Sequence, residues 1–449
     1  MAVNAVEASD VVLWGRKIGT LIWKDQRGYF EYSAEFARSG IQPSPITMPL
    51  SRQVYSFPAL GKNTFRGLPG LLADSLPDKF GNQLINQWLE RQGRSVSSFS
   101  PIERLCYIGS RGMGALEFVP AIGKQAEQSV PLQIAELVSL ANEALTQREE
   151  ITISVEGDQK AKREALEKII SVGTSAGGAR AKAVIAWNPD TNEVRSGQVK
   201  TEPGFGYWLL KFDGVEENRD HEALADPKGF SLVEYAYYLM AKECGIEMAE
   251  SRVFAENGRS HFMTRRFDRI DGGKKIHMQS LCGLAHYDFN QAGAYSYEQA
   301  IGVMRDLNLA KPAFEQFFRR IVFNVVARNQ DDHTKNIAFL MDRSGKWALS
   351  PAYDITYCNG SGWTSQHQMT INGKRNNFET EDLIAVALHA DIRASKAKMI
   401  IKEIVNKVKQ WPEFAQQGGV PERYPGQLLN VTWAEKIQQD HRLDWKGLT

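Results

Sequence analysis

Six apolar residues between positions 314 and 325 constrain this 449-residue chain more tightly than any other feature. Phe314, Phe317, Phe318, Ile321, Val322 and Val325 recur at i, i+3, i+4, i+7, i+8 and i+11, which is one face of a helix with 3.6 residues per turn. Such a stripe has to be buried, so a long core helix is predicted here, within a mainly helical C-terminal part. The stripe runs directly into the polar loop NQDDHTKN (329–336). A short hairpin follows, NIAFLMD and KWAL around Arg343-Ser344-Gly345, and then the segment SPAYDI. The tail returns to helix, with Met399, Ile400, Ile404, Val405 and Val408 expected on one face.

Upstream the period changes to two. VVLW, GTLIW and YFEYS alternate and are separated by Gly15-Arg16-Lys17 and Asp25-Gln26-Arg27-Gly28, the pattern of an antiparallel meander. After Pro77-Asp78 a helix is predicted from the face Phe80, Leu84, Ile85, Trp88 and Leu89. A second runs from Pro131 to about Glu143, with proline in its first turn. AVIAW (183–187) and YWLLKF (207–212) read as strands joined by a polar hairpin. FSLVEYAYYLMAKE (230–243) reads as a helix ending near Gly245, and SRVFAE and SHFMTRRF as strands flanking Asn257-Gly258. The expectation is an α+β chain with a β-rich unit over 1–120, a second sheet-bearing unit over 121–270 and a helical lobe over 271–449. No internal repeat is evident.

Charge excludes a class of function. Fifty-four Lys+Arg against 53 Asp+Glu gives a net charge of +1, so no global field recruits nucleic acid or anionic membrane. No run of about 18 apolar residues is present, and Glu7 and Asp10 precede the first apolar block, so neither a membrane span nor a signal peptide is expected. Four scattered cysteines without a CxxC pair suit a reducing cytoplasm and argue against a disulfide framework or structural zinc. The basic stretch 393–409, with six Lys/Arg against Glu403, reads as the solvated face of an amphipathic helix.

The loop 329–336 carries the chemistry. Asp331 and Asn336 are five residues apart, and Asp354 follows beyond the hairpin. Phosphoryl transfer from ATP needs a carboxylate to orient an acceptor hydroxyl and oxygen ligands to hold Mg²⁺ against the phosphates. An Asp-x4-Asn loop, a hairpin and a second Asp supply these together. The doublet Asp331-Asp332 leaves the base ambiguous, and the five-residue spacing to Asn336 favours Asp331. Upstream, the Gly-rich stretch 173–182 can bring backbone N–H groups close to phosphates through Gly177 and Gly178. Gly173-x4-Gly178 resembles a Walker loop, but Ala179-Arg180 stands where Lys followed by Ser/Thr is required. Lys211 lies inside an apolar run and needs an anion there. An ATP phosphate is one candidate, and Glu234 on the next helix is a candidate partner. GSRGMG (109–114) lacks both fingerprint spacing and a βαβ context and is expected to be a turn.

Gly-rich loop, strand lysine, helix glutamate, strand pair, helical lobe, Asp-x4-Asn, hairpin and Asp is the order of parts in a two-lobed protein kinase. The chain also resembles the HipA serine/threonine kinases of bacterial toxin–antitoxin modules, over nearly its whole length. The resemblance is carried by FRGLPGLLADSLPDKFG, TSAGGARAKA, WLLKF, TRRFDR, NQDDHTKN and SPAYDI. It implies a HipA-like, two-lobed α+β kinase fold and assigns Asp331 the catalytic role. Asn336 and Asp354 would hold Mg²⁺, and Lys211 would contact ATP. Arg265, Arg266 and Phe267 become adenine candidates, and Ala179, Arg180, Ala181, Lys182, His333, Lys335 and Tyr353 complete the ATP set. It further implies Ser175 as an autophosphorylated off-switch, glutamyl-tRNA synthetase as substrate, and a HipB-like antitoxin through which operator DNA is met. The chain departs from ordinary protein kinases in lacking His-Arg-Asp before the loop, in placing Lys335 four residues after Asp331, and in having Ile355-Thr356 after the metal aspartate. A catalytically minor co-repressor and a small-molecule kinase are the competing readings.

Overall fold

The computed structural model describes residues 5–122, 131–146, 180–215, 229–270, 272–422, 432–445 and 448. Strands β1 (Ala8–Leu13), β2 (Arg16–Lys24), β3 (Arg27–Tyr32) and β4 (Leu116–Val119) form an antiparallel sheet in the order β3-β2-β1-β4. The two hairpins turn on residue pairs with positive φ, Trp14-Gly15 and Asp25-Gln26. Both central residues left-handed is the type I′ geometry that matches strand twist. Helices Lys79–Arg91 and Pro101–Ile108 lie between β3 and β4 in the chain, each capped by side chain: Asp78 Oδ1 accepts from Gly81 N, and Ser100 and Glu103 form a capping box.

Strands β5 (Lys182–Trp187), β6 (Val194–Ser196), β7 (Gly206–Lys211), β8 (Ser251–Glu256) and β9 (Arg259–Arg265) make a five-stranded sheet in the order β6-β5-β7-β9-β8. The helix Phe230–Glu243 connects β7 to β8. Every residue of β5 is buried, as expected of a strand covered on both faces. The helix predicted from Pro131 begins later, at Ile134. Leu132 N instead donates to Val194 O, and Pro131 bridges Arg195, so this segment extends the sheet before turning helical.

A two-stranded pair, β10 (Arg269–Ile270) and β11 (Lys274–Lys275), precedes a small sheet of β12 (His277–Ser280), β13 (Ala338–Met341) and β14 (Trp347–Leu349). Helices Tyr297–Asp306, Lys311–Val326, Thr380–His389, Ala394–Val408, Trp411–Gly418 and Trp433–Trp445 build the remaining lobe. The stripe predicted over 314–325 is buried in the second of these. In the helix Ala394–Val408 the buried face is Ala397, Ile400, Ile401, Ile404, Val405 and Val408. Met399, expected on that face, is instead exposed, because Ile400 and Ile401 already fill the seam.

Two apolar cores result. One joins the N-terminal sheet and the segment around Phe65–Leu72 to the helical lobe. The other joins the helices Lys79–Arg91 and Ile134–Thr146, with Tyr107, to the five-stranded sheet, while Ile102, Leu105 and Cys106 face the first core. The described part of the first 120 residues, a β-rich sheet with short helices, thus packs into both lobes.

Candidate active site

The loop after the long helix is fixed by backbone pairing to the segment that follows Asp354. Gln330 N donates to Cys358 O and Cys358 N donates to Arg328 O. Within the loop, Asn336 Nδ2 donates to the Asp331 carbonyl at 2.9 Å, closing the five-residue spacing read from the sequence.

The structure separates the two adjacent aspartates. Asp332 is buried, and its carboxylate accepts from Tyr297 OH (2.7 Å), His367 Nδ1 (2.8 Å) and Gln368 N (2.7 Å). Burial would raise its pKa, but these donors outweigh burial and hold it below the usual carboxylate range. Asp331 keeps a side chain that is 39 % exposed, and its Oδ1 accepts from Trp363 Nε1 at 3.0 Å. An acceptor can therefore approach Asp331, whereas Asp332 is committed to holding the loop.

A chain of charges runs beside this loop. Arg180 Nη1 lies 3.0 Å from Glu234 Oε2, and Glu234 Oε1 lies 2.6 Å from Lys211 Nζ, which also donates to Asp354 Oδ1. Strand β7 places Lys211 over the helix carrying Glu234, and the turn after the small hairpin brings Asp354 in from the other lobe. Burial would lower the pKa of the Lys211 ammonium, but Asp354 and Glu234 together raise it above its ordinary value. Burial likewise opposes ionisation of Asp354, yet Lys211 and then Lys182 bring it down to about 2. Asp354 has φ 50°, a left-handed conformation that an aspartate tolerates better than most residues.

Asn336, Asp354, His333 and Tyr353 line one small cavity with Asp332 and Asn329, beside the apolar Phe317, Ile337 and Ile355. Asn336 spends its amide donor on Asp331, which leaves its Oδ1 as an acceptor. Two hard oxygen donors suit Mg²⁺, which takes one or two protein ligands and completes its shell with phosphate and water. His333 Nε2 is 3.9 Å from Asp331 Oδ1, and its ring packs against Phe289, over which Lys335 Nζ also sits at 4.9 Å. Tyr353 OH donates to Lys335 O at 2.6 Å.

Several expected nucleotide contacts have other duties in the structure. Arg266 is buried, pairs with Asp268 at 2.7 Å and donates to Gly112 O. Arg265 is solvent-facing beside Glu250, and Phe267 packs on Tyr353 with ring centroids 5.7 Å apart. Ala181 is fully buried in the second core, and Lys182 lies 3.6 Å from the Asp78 carboxylate. The Gly-rich residues Gly177, Gly178 and Ala179, and Ser175, lie outside the described residues. Sequence reasoning missed Trp363 and Asp78. Neither carries a local signal, since each reaches the site from far along the chain.

Comparisons with known proteins follow the same division. Residues 9–119 match the family model of the HipA N-terminal domain, and 174–411 match that of the HipA-like C-terminal domain. A solved complex of HipA, HipB and operator DNA from Shewanella oneidensis MR-1 contains a chain of similar fold. Its TM-score is 0.64 at 16% identity, covering 97% of this chain and 95% of that one. A Haemophilus influenzae protein named "Putative kinase" is 25% identical over 160 residues, 32% of this chain and 47% of that protein. The chain thus spans about half the length of that curated relative. With the C-terminal model alone matching more than half of the sequence, the chain belongs to the HipA family and has its two-lobed α+β fold.

Proposed function

We propose that this chain is a serine/threonine protein kinase that transfers the γ-phosphoryl group of ATP to a protein hydroxyl. The observation that supports this best is Lys211, held between Glu234 from one lobe and Asp354 from the other, beside an accessible Asp331. In this reading Lys211 binds phosphate oxygens and Glu234 fixes its ammonium. Asp331 orients the acceptor hydroxyl and takes its proton as the new O–P bond forms. Mg²⁺, when bound, would be held by Asn336 and Asp354 and would neutralise phosphate charge. Asp332 keeps the loop in register and takes no part in proton transfer.

A HipB-like antitoxin is the proposed partner, with operator DNA met mainly through it and the chain serving as co-repressor. The likeness in fold to a HipA found with HipB and operator DNA supports this. Glutamyl-tRNA synthetase is the proposed first substrate and Ser175 the proposed self-phosphorylation site. Incubation with Mg²⁺-ATP and purified glutamyl-tRNA synthetase, whole bacterial extract, sugars or aminoglycosides tests the class of acceptor. Phosphate on a protein serine or threonine is expected. Turnover on a sugar or aminoglycoside alone would assign a small-molecule kinase.

A further inference from the structure

The motif FRGLPGLLADSLPDKFG (65–81) has no place in the chemistry above, yet the structure lays it and the few residues before it along both lobes. On the helical-lobe side, Thr64 Oγ1 donates to Asp288, Gly70 N donates to His286 Nε2 at 3.0 Å, and Asp74 accepts from Ser280 N and Oγ, both at 2.6 Å. The fit is close: a Cβ on Gly70 would lie 2.1 Å from the Gly283 carbonyl oxygen. Four residues beyond Asp74, Asp78 reaches the other lobe. Its Oδ1 caps the helix Lys79–Arg91 through Gly81 N at 2.6 Å, and its Oδ2 lies 3.6 Å from Lys182 Nζ, with both side chains only 3% exposed.

Lys182 is paired in register with Lys211 across β5 and β7, so the two side chains share one face of the sheet. Two ammonium groups this close require anions on both sides. Asp354 and Glu234 serve Lys211, and Asp78 serves Lys182. Burial pushes Asp78 up to about 6 and lowers Lys182; Lys182 draws Asp78 back down, and Asp78 with Asp354 draws Lys182 back up, so the pairing helps keep both charged.

We propose that residues 64–78 form a clasp between the lobes, and that Asp78 is a positioning residue that acts through Lys182 to keep the phosphate-binding end of the site cationic. The N-terminal unit is then a working part of the nucleotide site. The inference rests on the kinase reading for its ligand, and on the contacts above for its geometry.

The test separates the two duties of Asp78. Asparagine caps a helix as well as aspartate does, so Asp78→Asn removes charge and keeps the cap, whereas Asp78→Ala removes both. Binding of Mg²⁺-ATP to the full chain is measured by calorimetry for wild type, Asp78→Asn, Lys182→Met and the double variant, with urea unfolding alongside. Asp78→Asn is expected to weaken Mg²⁺-ATP about tenfold and to lower the urea midpoint only by the loss of the buried ion pair, and Asp78→Ala to lose the same affinity with a larger fall in midpoint, because the helix cap goes as well. The double variant should bind no worse than Lys182→Met alone. Wild-type affinity in Asp78→Asn, or additive losses in the double variant, would overturn the role of Asp78 while leaving the kinase reading intact. Failure of the wild-type chain to bind Mg²⁺-ATP would overturn both.

Discussion

Trp363 Nε1 donates to Asp331 Oδ1 at 3.0 Å, so the carboxylate assigned to the acceptor hydroxyl is held by an indole that follows it by 32 residues. The turn carrying Trp363 is itself bound to the loop. Gln368 Nε2 donates to Trp363 O at 2.6 Å and to Gln330 O at 3.1 Å, while Gln368 N donates to Asp332. With Oδ1 engaged, Oδ2 is the atom left to meet an acceptor.

Trp363→Phe keeps the ring and removes the N–H. Turnover should fall about tenfold with the KM for ATP unchanged, the size expected when a hydrogen bond of about 1.5 kcal/mol to a charged group is lost. Steady-state kinetics with a protein acceptor checks this. A rise in turnover would show that the indole blocks the site.

Lys211→Met leaves Glu234 and Asp354 without the cation between them. Removing one partner of a buried ionic set costs about 3–5 kcal/mol. Urea unfolding should show a loss of that order, and calorimetry should show Mg²⁺-ATP binding abolished. An unchanged midpoint would mean that the three groups are not coupled.

Asp354→Ala should weaken Mg²⁺-ATP strongly and ATP without metal far less, since it removes the proposed metal ligand and leaves Lys211 paired to Glu234. Titrations with and without Mg²⁺ distinguish the two effects. Equal losses in both would argue that Asp354 serves the lysine alone.

Four histidines, three of them buried and His286 half-buried, set the acid limit of stability. Burial lowers His261, His277 and His286 to about 4 and His441 to about 3. His261 and His286 also accept backbone N–H groups, from Asp213 and Gly70, which demands the neutral ring. In the unfolded chain these groups protonate near pH 6.5. Below that pH the unfolded state binds more protons than the folded state, so stability falls as pH drops from 6.5 towards 4. Asp78, raised to about 6, acts in the opposite sense as one group against four. The urea midpoint should therefore be highest near neutrality and decline steadily to pH 4.5. A midpoint that rises on acidification would contradict the burial of these rings.

What the sequence revealed depended on how local each signal was. The stripe from Phe314 to Val325, the Asp331–Asn336 spacing and the hairpin before Asp354 are short-range patterns, and they were legible. Lys211 was legible because a charge in an apolar run needs an anion, and Glu234 stood one helix away. The capping box Ser100–Glu103 is an equally local signal for the helix Pro101–Ile108. The surroundings of Arg266, just beyond β9, were not legible, because Asp268 and the carbonyl of Gly112, from a distant loop, hold its guanidinium in the interior. Asp78 and Trp363 reach the site only through tertiary folding.

Single-turnover phosphoryl transfer by Asp331→Asn tests the central claim most directly. The substitution changes charge and little volume, and Asn336 still bonds the backbone carbonyl of residue 331. Transfer to a protein serine or threonine should fall about 10²–10⁴-fold, the range of a general base, with Mg²⁺-ATP affinity and urea midpoint near wild type. Transfer at the wild-type rate would contradict the assignment of Asp331 and the mechanism built on it.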